Sequence, residues 1–158
     1  MQAHFDAAGV GKRRVPTPSA VKSQIRRIGE LGLKVNISEL DVRCSKLPLS
    51  VQNQAQSQIY HDIVAAALTE PAFDGIWLWG FTDKHTWITQ FYHQDQPLIF
   101  DEKYNRKPSY FALRRALMTL VLKHNSEDNW GKDWMAPEPL FHEKEIKGDS
   151  KPDWLQEP

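Results

Sequence analysis

Hydrophobic and polar positions follow two alternating periods along residues 1–122. Short apolar runs have the length of strands and are bounded by turn-forming residues, and longer stretches repeat their apolar residues with helical spacing. The pattern predicts three strands, at 1–5, 33–40 and 75–81, and three helices, at 18–31, 51–69 and 108–122. Because strands and helices alternate, we expect an α/β fold of three units, with parallel and adjacent strands.

Punctuating residues mark the ends of the predicted helices. Thr17 followed by Pro18 is typical of a capping residue and the first helical turn, and Gly32 is a natural C-terminal stop. Ser50 is the predicted N-cap of the second helix, and Pro71 follows that helix's end.

The second strand is predicted to end in a carboxylate. Strict alternation places four residues on one face: Leu33, Val35, Ile37 and Glu39. The intervening positions are more polar than a helix-covered strand face should be: Lys34, Asn36 and Ser38.

Composition disfavours several classes of partner. Twenty basic and twenty acidic residues give a net charge of zero, which disfavours binding to nucleic acid or to an anionic membrane surface. No apolar run approaches the roughly 18 residues that a membrane span needs. The single cysteine, Cys44, excludes an internal disulfide, and the histidines lack metal-ligand spacing. We therefore expect no metal, no cofactor, no nucleic acid and no membrane.

The last 36 residues differ in character from the rest. Positions 123–158 hold nine acids, five lysines and four prolines, with little periodicity. The sequence predicts two regions, a structured one at 1–122 and a polar, mostly irregular tail at 123–158. Packing or disorder is the expected state of the three tryptophans in the tail: Trp130, Trp134 and Trp154.

Five segments stand out at the predicted strand ends and in the loops that follow them: Gln2-Ala3-His4, Ile37-Ser38-Glu39-Leu40-Asp41, Trp79-Gly80-Phe81-Thr82-Asp83 with Trp87, Pro97-Leu98-Ile99-Phe100-Asp101 and Lys107-Pro108-Ser109-Tyr110. Together these segments resemble the motifs of the family 10 glycoside hydrolases, retaining endo-1,4-β-xylanases built on a (β/α)8 barrel. Their order and spacing correspond to strands six to eight of that barrel and the link into its last helix. The resemblance implies a partial TIM barrel of about three C-terminal βα units.

The resemblance assigns roles at a catalytic site. It makes Glu39 the nucleophile, His4 the residue that orients its carboxylate, and Asp41 a source of supporting hydrogen bonds. A retaining glycosidase needs such an attacking carboxylate and a second carboxyl, about 5 to 5.5 Å away, that protonates the leaving oxygen. Taken alone, a glutamate at a strand end is more often a solvated or capping residue, and a lone histidine is more often a satisfied core residue.

Substrate contacts are implied by the same motifs. Gln2 would bind a sugar hydroxyl, and Trp79 and Trp87 would offer flat apolar faces to sugar rings. Trp77 has no counterpart in this scheme and is interpreted as a core residue. The implied substrate is xylan or a xylo-oligosaccharide, and the implied location is secreted or periplasmic.

The acid/base residue of the family is expected to be absent from this chain. The family carries it in an Asn-Glu after strand four, and no Asn-Glu occurs here. A complete barrel has about 250 residues, and Met1 resembles an internal methionine of strand six. We therefore interpret the chain as the C-terminal part of such an enzyme.

Two hypotheses remain open: an endo-xylanase chain with the nucleophile half of the site, or an inactive fragment. The fragment would bind xylan weakly or complete a barrel with the missing N-terminal half or a second copy.

Overall fold

The computed structural model describes residues 1–9 and 14–125, in which strands and helices alternate as predicted. The strands are β1 (Gln2–Asp6), β2 (Val35–Arg43) and β3 (Phe73–Leu78). The helices are α1 (Pro18–Gly29), α2 (Leu49–Ala67), the short α3 (Ile88–Phe91) and α4 (Pro108–Asn125). No helix within the described ranges is both long and apolar enough to cross a bilayer. The helix α4 runs three residues beyond its predicted end, and the rest of the predicted tail, with its three tryptophans, lies outside the described residues.

The three strands form one parallel sheet in the order β1-β2-β3. Phe5 of β1 is in register with Val42 of β2, and Ile37 of β2 is in register with Ile76 of β3. The predicted parallel and adjacent pairing is therefore confirmed. Because each connection between neighbouring strands carries a helix, the carboxyl ends of all three strands lie at the same edge of the sheet.

A hydrophobic core joins the sheet to the helices. Alternate strand residues belong to one buried cluster with residues of α1 and α2: Ala3, Phe5, Val35, Ile37, Leu40, Val42, Val21, Ile25, Ile59 and Ile63. The helix α2 packs against both α1 and α4. Fully burying a side chain such as Ile25 or Ile63 stabilises the fold by about 1.5–3 kcal/mol each. This layer holds the strand ends, and therefore the site, in place.

The predicted helix boundaries are correct for α1 at its start and wrong for α2. The Thr17 hydroxyl accepts a hydrogen bond from the Ala20 amide, as an N-cap should. Ser50 is not a cap, because α2 already begins at Leu49, after Pro48, and has no side-chain cap. Pro48 has extended backbone angles and ends the preceding loop, which starts the helix without a capping oxygen.

One strand residue, Trp77, differs in exposure from the sequence interpretation, and the sheet explains the polarity of two others. Trp77, interpreted as core, is 58% exposed, so that interpretation is wrong. It alternates with Ile76 and Leu78, which pack against the core, and therefore lies on the sheet face opposite the helices. Asn36 and Ser38 likewise alternate with the buried Val35 and Ile37. Their polarity has a physical explanation, because they do not face the helix layer.

Candidate active site

Glu39 has an unusual backbone conformation near the middle of β2. Its φ is +62°, a left-handed value that non-glycine residues rarely adopt. The register between β2 and β3 shifts at the same place, between Ile37 and Leu40. Leu40 and Val42 consequently join the core, whereas Glu39 leaves the face of Ile37. The predicted strict alternation, with Glu39 on that face, is therefore wrong.

The Glu39 carboxylate contacts two side chains of β1. The Gln2 amide donates from Nε2 to Oε1 at 2.9 Å, and His4 Nε2 lies 3.1 Å from Oε2. Gln2 and His4 are two positions apart, so both lie on the face opposite the buried Ala3 and Phe5. The turn at Glu39 thus brings the carboxylate to the polar face of its neighbouring strand.

Asp41 completes a relay of hydrogen-bonding groups behind Glu39. Its Oδ2 lies 2.8 Å from His4 Nδ1 and accepts the Trp87 indole N–H at 2.8 Å. His4 and Asp41 are direct register partners across β1 and β2. A neutral imidazole carries one N–H and donates to one carboxylate at a time. Both His4 contacts are hydrogen bonds only when a second proton is held on the ring or on a carboxyl group.

Solvent exposure distinguishes the two carboxylates. The side chain of Glu39 is 21% exposed, whereas that of Asp41 is fully buried. Glu39 can therefore be reached by a ligand, and Asp41 acts on it only through His4. A partly exposed carboxylate with a positioned group at each oxygen suits nucleophilic attack.

Two indole rings border His4. The Trp79 ring centroid is 6.3 Å from that of His4, and the Trp87 centroid is 5.1 Å away, both edge to face. Trp79 is about half exposed and Trp87 is partly buried. All six site residues named from the sequence therefore lie in one cluster, which extends from the start of β1 across the second half of β2 to the loop after β3.

A buried ion pair that the sequence analysis did not assign fastens the loop after β3. Lys107 Nζ lies 2.8 Å from Asp83 Oδ2, and the other Asp83 oxygen accepts the Leu98 amide. Burial raises the pKa of Asp83, and the Lys107 charge opposes that shift. Both residues belong to motifs quoted above, so the motifs themselves were the available signal.

Asp95 is a second anchor that the sequence analysis missed. Its carboxylate accepts hydrogen bonds from the Cys44 and Ser45 amides at 3.0 and 3.2 Å and from the Ser45 hydroxyl at 2.8 Å. Gln56 donates to the carbonyls of Val42 and Gln96. These bonds fix segment 94–98 to the end of β2. Nothing local in the sequence distinguishes Asp95 from an ordinary loop aspartate.

Among the described residues, neither a metal centre nor a reactive thiol lies near this cluster. Within residues 1–9 and 14–125, no group of three or more His, Cys, Asp or Glu side chains is arranged to hold a metal ion. Burial raises the pKa of the Cys44 thiol to about 12, and the Asp95 charge adds to that shift. A protonated, buried thiol is a poor nucleophile. Glu39 is therefore the group with the best access and geometry for chemistry.

Named proteins similar to this chain are xylanases. Endo-1,4-beta-xylanase B of Thermotoga neapolitana is 38% identical over 119 residues, covering 73% of this chain and 32% of the relative. Endo-1,4-beta-xylanase 1 of Humicola insolens is 34% identical over 104 residues, covering 65% of this chain and 24% of the relative. The chain thus spans about a third or less of the length of these curated relatives.

Solved structures share the same architecture. Native xylanase 10B from Thermotoga maritima superposes with a TM-score of 0.65 at 31% identity, covering 77% of this chain and 36% of the other. Xylanase 10B from Thermotoga petrophila in complex with xylobiose gives 0.66 at 32% identity, with 76% and 36% covered. The partial barrel expected from the motifs is confirmed. Because the sequence model of glycosyl hydrolase family 10 also matches residues 1–116, the chain belongs to that family.

Proposed function

We propose that this chain carries the nucleophile half of a retaining endo-1,4-β-xylanase site, with Glu39 as the attacking carboxylate. The observation that carries the proposal is the relay from Gln2 through Glu39 and His4 to Asp41, with contacts of 2.8 to 3.1 Å. A retaining glycosidase forms a covalent glycosyl ester on such a carboxylate and then hydrolyses it. The left-handed backbone at Glu39 supports the same role, because strain of this kind clusters at functional sites.

The neighbouring groups would orient and tune the nucleophile. His4 and Gln2 each hold one carboxylate oxygen, which limits rotation of the side chain and favours one attacking geometry. Asp41 stabilises the His4 ring from its buried side. When Glu39 becomes an ester, it loses its negative charge, and the His4 contact remains available to help restore the carboxylate as the ester is hydrolysed.

Sugar binding is assigned to the exposed faces around this relay. Trp79 offers its half-exposed ring to a xylose unit, and Gln2 has a second amide hydrogen for a sugar hydroxyl. Trp87 contacts the substrate only through the part of its ring not packed against His4. We propose xylan or a xylo-oligosaccharide as the substrate and a secreted or periplasmic location.

We propose that the acid/base carboxyl comes from polypeptide beyond these 158 residues. In the retaining geometry it must lie about 5 to 5.5 Å from Glu39. The candidate source is a set of early barrel strands, supplied by the N-terminal half of such a barrel. Both outer edges of the described sheet, on β1 and β3, lack a strand partner among the described residues.

Covalent trapping tests the assignment of Glu39 directly. A 2-deoxy-2-fluoro xylobioside with a dinitrophenyl leaving group needs no acid catalysis and forms a slowly hydrolysed ester. We expect mass spectrometry to find the fluoroxylobiosyl adduct on the peptide containing Glu39, and no adduct in Glu39→Gln. Asp74→Asn, a change of a strand carboxylate outside the relay, is the matched control and should label like the parent chain. Labelling of another carboxylate would refute the assignment.

The alternative, an inactive chain that binds xylan weakly, is favoured by one observation, the exposed Trp77 and Trp79 rings on the polar face of the sheet. Titration with xylobiose, followed by indole NMR signals, separates it from the first proposal. Binding that shifts Trp79 without any covalent trapping at Glu39 would support the alternative. Trapping at Glu39 would exclude it.

A further inference from the structure

A buried arginine lies beyond the relay on the same strand. Arg43, two residues after Asp41, is 7% exposed, and its Nε is 3.6 Å from Oδ2 of the buried Asp95. The guanidinium carbon lies 4.3 Å from the ring centroid of Tyr92. Arg43 has no place in the roles assigned above. Its burial requires compensation, which the Asp95 charge and the Tyr92 π face supply.

Tyr92 connects this arginine to the site. Its ring stands edge to face against Trp87, with centroids 5.9 Å apart and an interplanar angle of 83°. Its amide donates to the Ile88 carbonyl at 2.8 Å, which closes the turn that begins after Trp87. The position of the Tyr92 ring is thus set by Arg43 on one side and contacts Trp87 on the other.

Asp95 ties the same loop to the strand that carries Asp41. It accepts the Cys44 and Ser45 amides, the two residues that follow Arg43. Arg43, Tyr92 and Asp95 therefore link the loop and the strand at a point just beyond the hydrogen bond from Trp87 to Asp41. A linkage at this point limits how far the indole can move from the carboxylate.

We propose that Arg43, Tyr92 and Asp95 form a positioning clamp that holds the Trp87 indole N–H against Asp41. The clamp acts on Glu39 only through Trp87, Asp41 and His4, so its three members are positioning residues. Its catalytic importance rests on the proposed function, whereas its action on the indole does not. The clamp explains why a buried charge pair lies at the end of β2, where an apolar pair would pack as well.

The indole N–H of Trp87 reports on the clamp. In a proton–nitrogen NMR spectrum of the whole chain, Trp87→Phe assigns its signal. Tyr92→Leu removes the ring face that stacks on Arg43, and we expect the Trp87 indole hydrogen to exchange with solvent about three- to fivefold faster, as loss of a cation–π contact to a partly exposed ring implies. Backbone amides of the helix α2, whose Ile59 and Ile63 are buried, serve in the same spectrum as internal references for overall stability.

Phe91→Leu is the matched control. Phe91 also lies 5.9 Å from the Trp87 ring, but it is 70% exposed and has no such ion pair behind it. We expect Phe91→Leu to change the Trp87 exchange rate less than about twofold, within the range of single exposed contacts. Equal effects of Tyr92→Leu and Phe91→Leu, or none from Tyr92→Leu, would overturn the clamp.

The double variant Arg43→Met with Asp95→Asn addresses misfolding. Arg43→Met alone would leave the Asp95 charge buried and unpaired, which is strongly destabilising. Removing both charges avoids that cost, and the clamp predicts that Trp87 exchange is still faster while exchange of the buried α2 amides is unchanged. A matching rise in exchange at the α2 amides would mean a general loss of stability and would refute a positioning role. Covalent trapping at Glu39 is a separate measurement, so either proposal can fail without the other.

Discussion

His4 lies 3.1 Å from Glu39 although the two residues are 35 positions apart in the sequence. Parallel pairing of β1 with β2 brings His4 opposite Asp41, and the left-handed turn at Glu39 then places its carboxylate over the other ring nitrogen. The ring thus joins a solvent-accessible carboxylate to a buried one. This arrangement needs both the sheet register and the backbone turn.

Removing the imidazole should destabilise the chain as well as loosen Glu39. His4→Ala leaves the buried Asp41 without one of its hydrogen-bond donors, and we expect the free energy of unfolding to fall by about 1–3 kcal/mol. Gln2→Ala, which removes an exposed hydrogen bond to Glu39, should cost clearly less. Urea unfolding of both variants measures the difference, and equal losses would contradict the buried role of Asp41.

Gly80 should tolerate no side chain, unlike Gly75. Its φ is +97°, and an added Cβ would lie 3.1 Å from Leu98 Cδ1. We expect Gly80→Ala to lower the free energy of unfolding by about 1–3 kcal/mol. At Gly75 an added Cβ would meet only the Trp77 ring, at an ordinary 3.8 Å, so Gly75→Ala is the control. Thermal unfolding of the two variants tests this, and a neutral Gly80→Ala would be inconsistent with the strained turn.

Local patterns were sufficient to predict most of the fold. The three strands and three long helices follow from apolar periodicity, and Thr17 is the predicted cap. Strict alternation predicted the wrong sheet face for Glu39, because it assumes a regular strand and a left-handed residue within the strand breaks that regularity. It also failed for Trp77, because burial of a strand residue depends on which face the helices cover.

The site was predicted from motifs, and its supports were not. Residues such as His4, Glu39 and Asp41 stand in recognisable segments, and the structure brings them together. Asp95 and Arg43 pair across 52 positions, and long-range pairing of this kind leaves no local signal. The clamp could be found only after the loop had been placed against β2.

The ion pair between Asp83 and Lys107 should be essential to the loop after β3. Lys107→Met leaves a buried carboxylate unpaired, and we expect a loss of about 3–5 kcal/mol in the free energy of unfolding. The control, Lys34→Met, removes an exposed lysine whose ammonium donates at 2.9 Å to the Pro71 carbonyl and leaves no carboxylate unpaired, so it should cost about 1 kcal/mol or less. Denaturant titration at neutral pH compares the two.

The pH dependence of stability gives a second test of the ion pair between Asp83 and Lys107. Burial holds the pKa of Asp83 above its ordinary 3.8, so the unfolded chain releases this proton first. Stability from this group therefore falls as pH rises from 3.8 through the folded pKa. Without Lys107 the pKa rises further, and the deficit of Lys107→Met should be larger at pH 7 than at pH 4. A deficit independent of pH would argue against a buried charge.

Cys44 should be unreactive in the folded chain. With its pKa raised to about 12, mainly by burial, the thiol is only about 10⁻⁴ ionised at pH 8. We expect a disulfide reagent to modify it at pH 8 only as the chain unfolds, and promptly in denaturant. The unfolded thiol ionises near 9.0, so stability should fall by up to about 1.4 kcal/mol per pH unit between 9 and 12. Rapid modification without denaturant would contradict the burial.

The hydrolysis rate of this chain should depend strongly on whether the leaving group of the substrate needs to be protonated. General acid catalysis is typically worth 10² to 10⁴ in rate, so we expect the 158-residue chain to hydrolyse plain xylan little or not at all. An aryl xylobioside with an activated leaving group needs no protonation, and a small residual rate is expected there. That rate should vanish in Glu39→Ala and persist in Asp74→Asn, measured by phenolate release. Robust cleavage of plain xylan by the purified chain would mean that a carboxyl of its own or of a second copy supplies the proton, and would refute the half-site proposal.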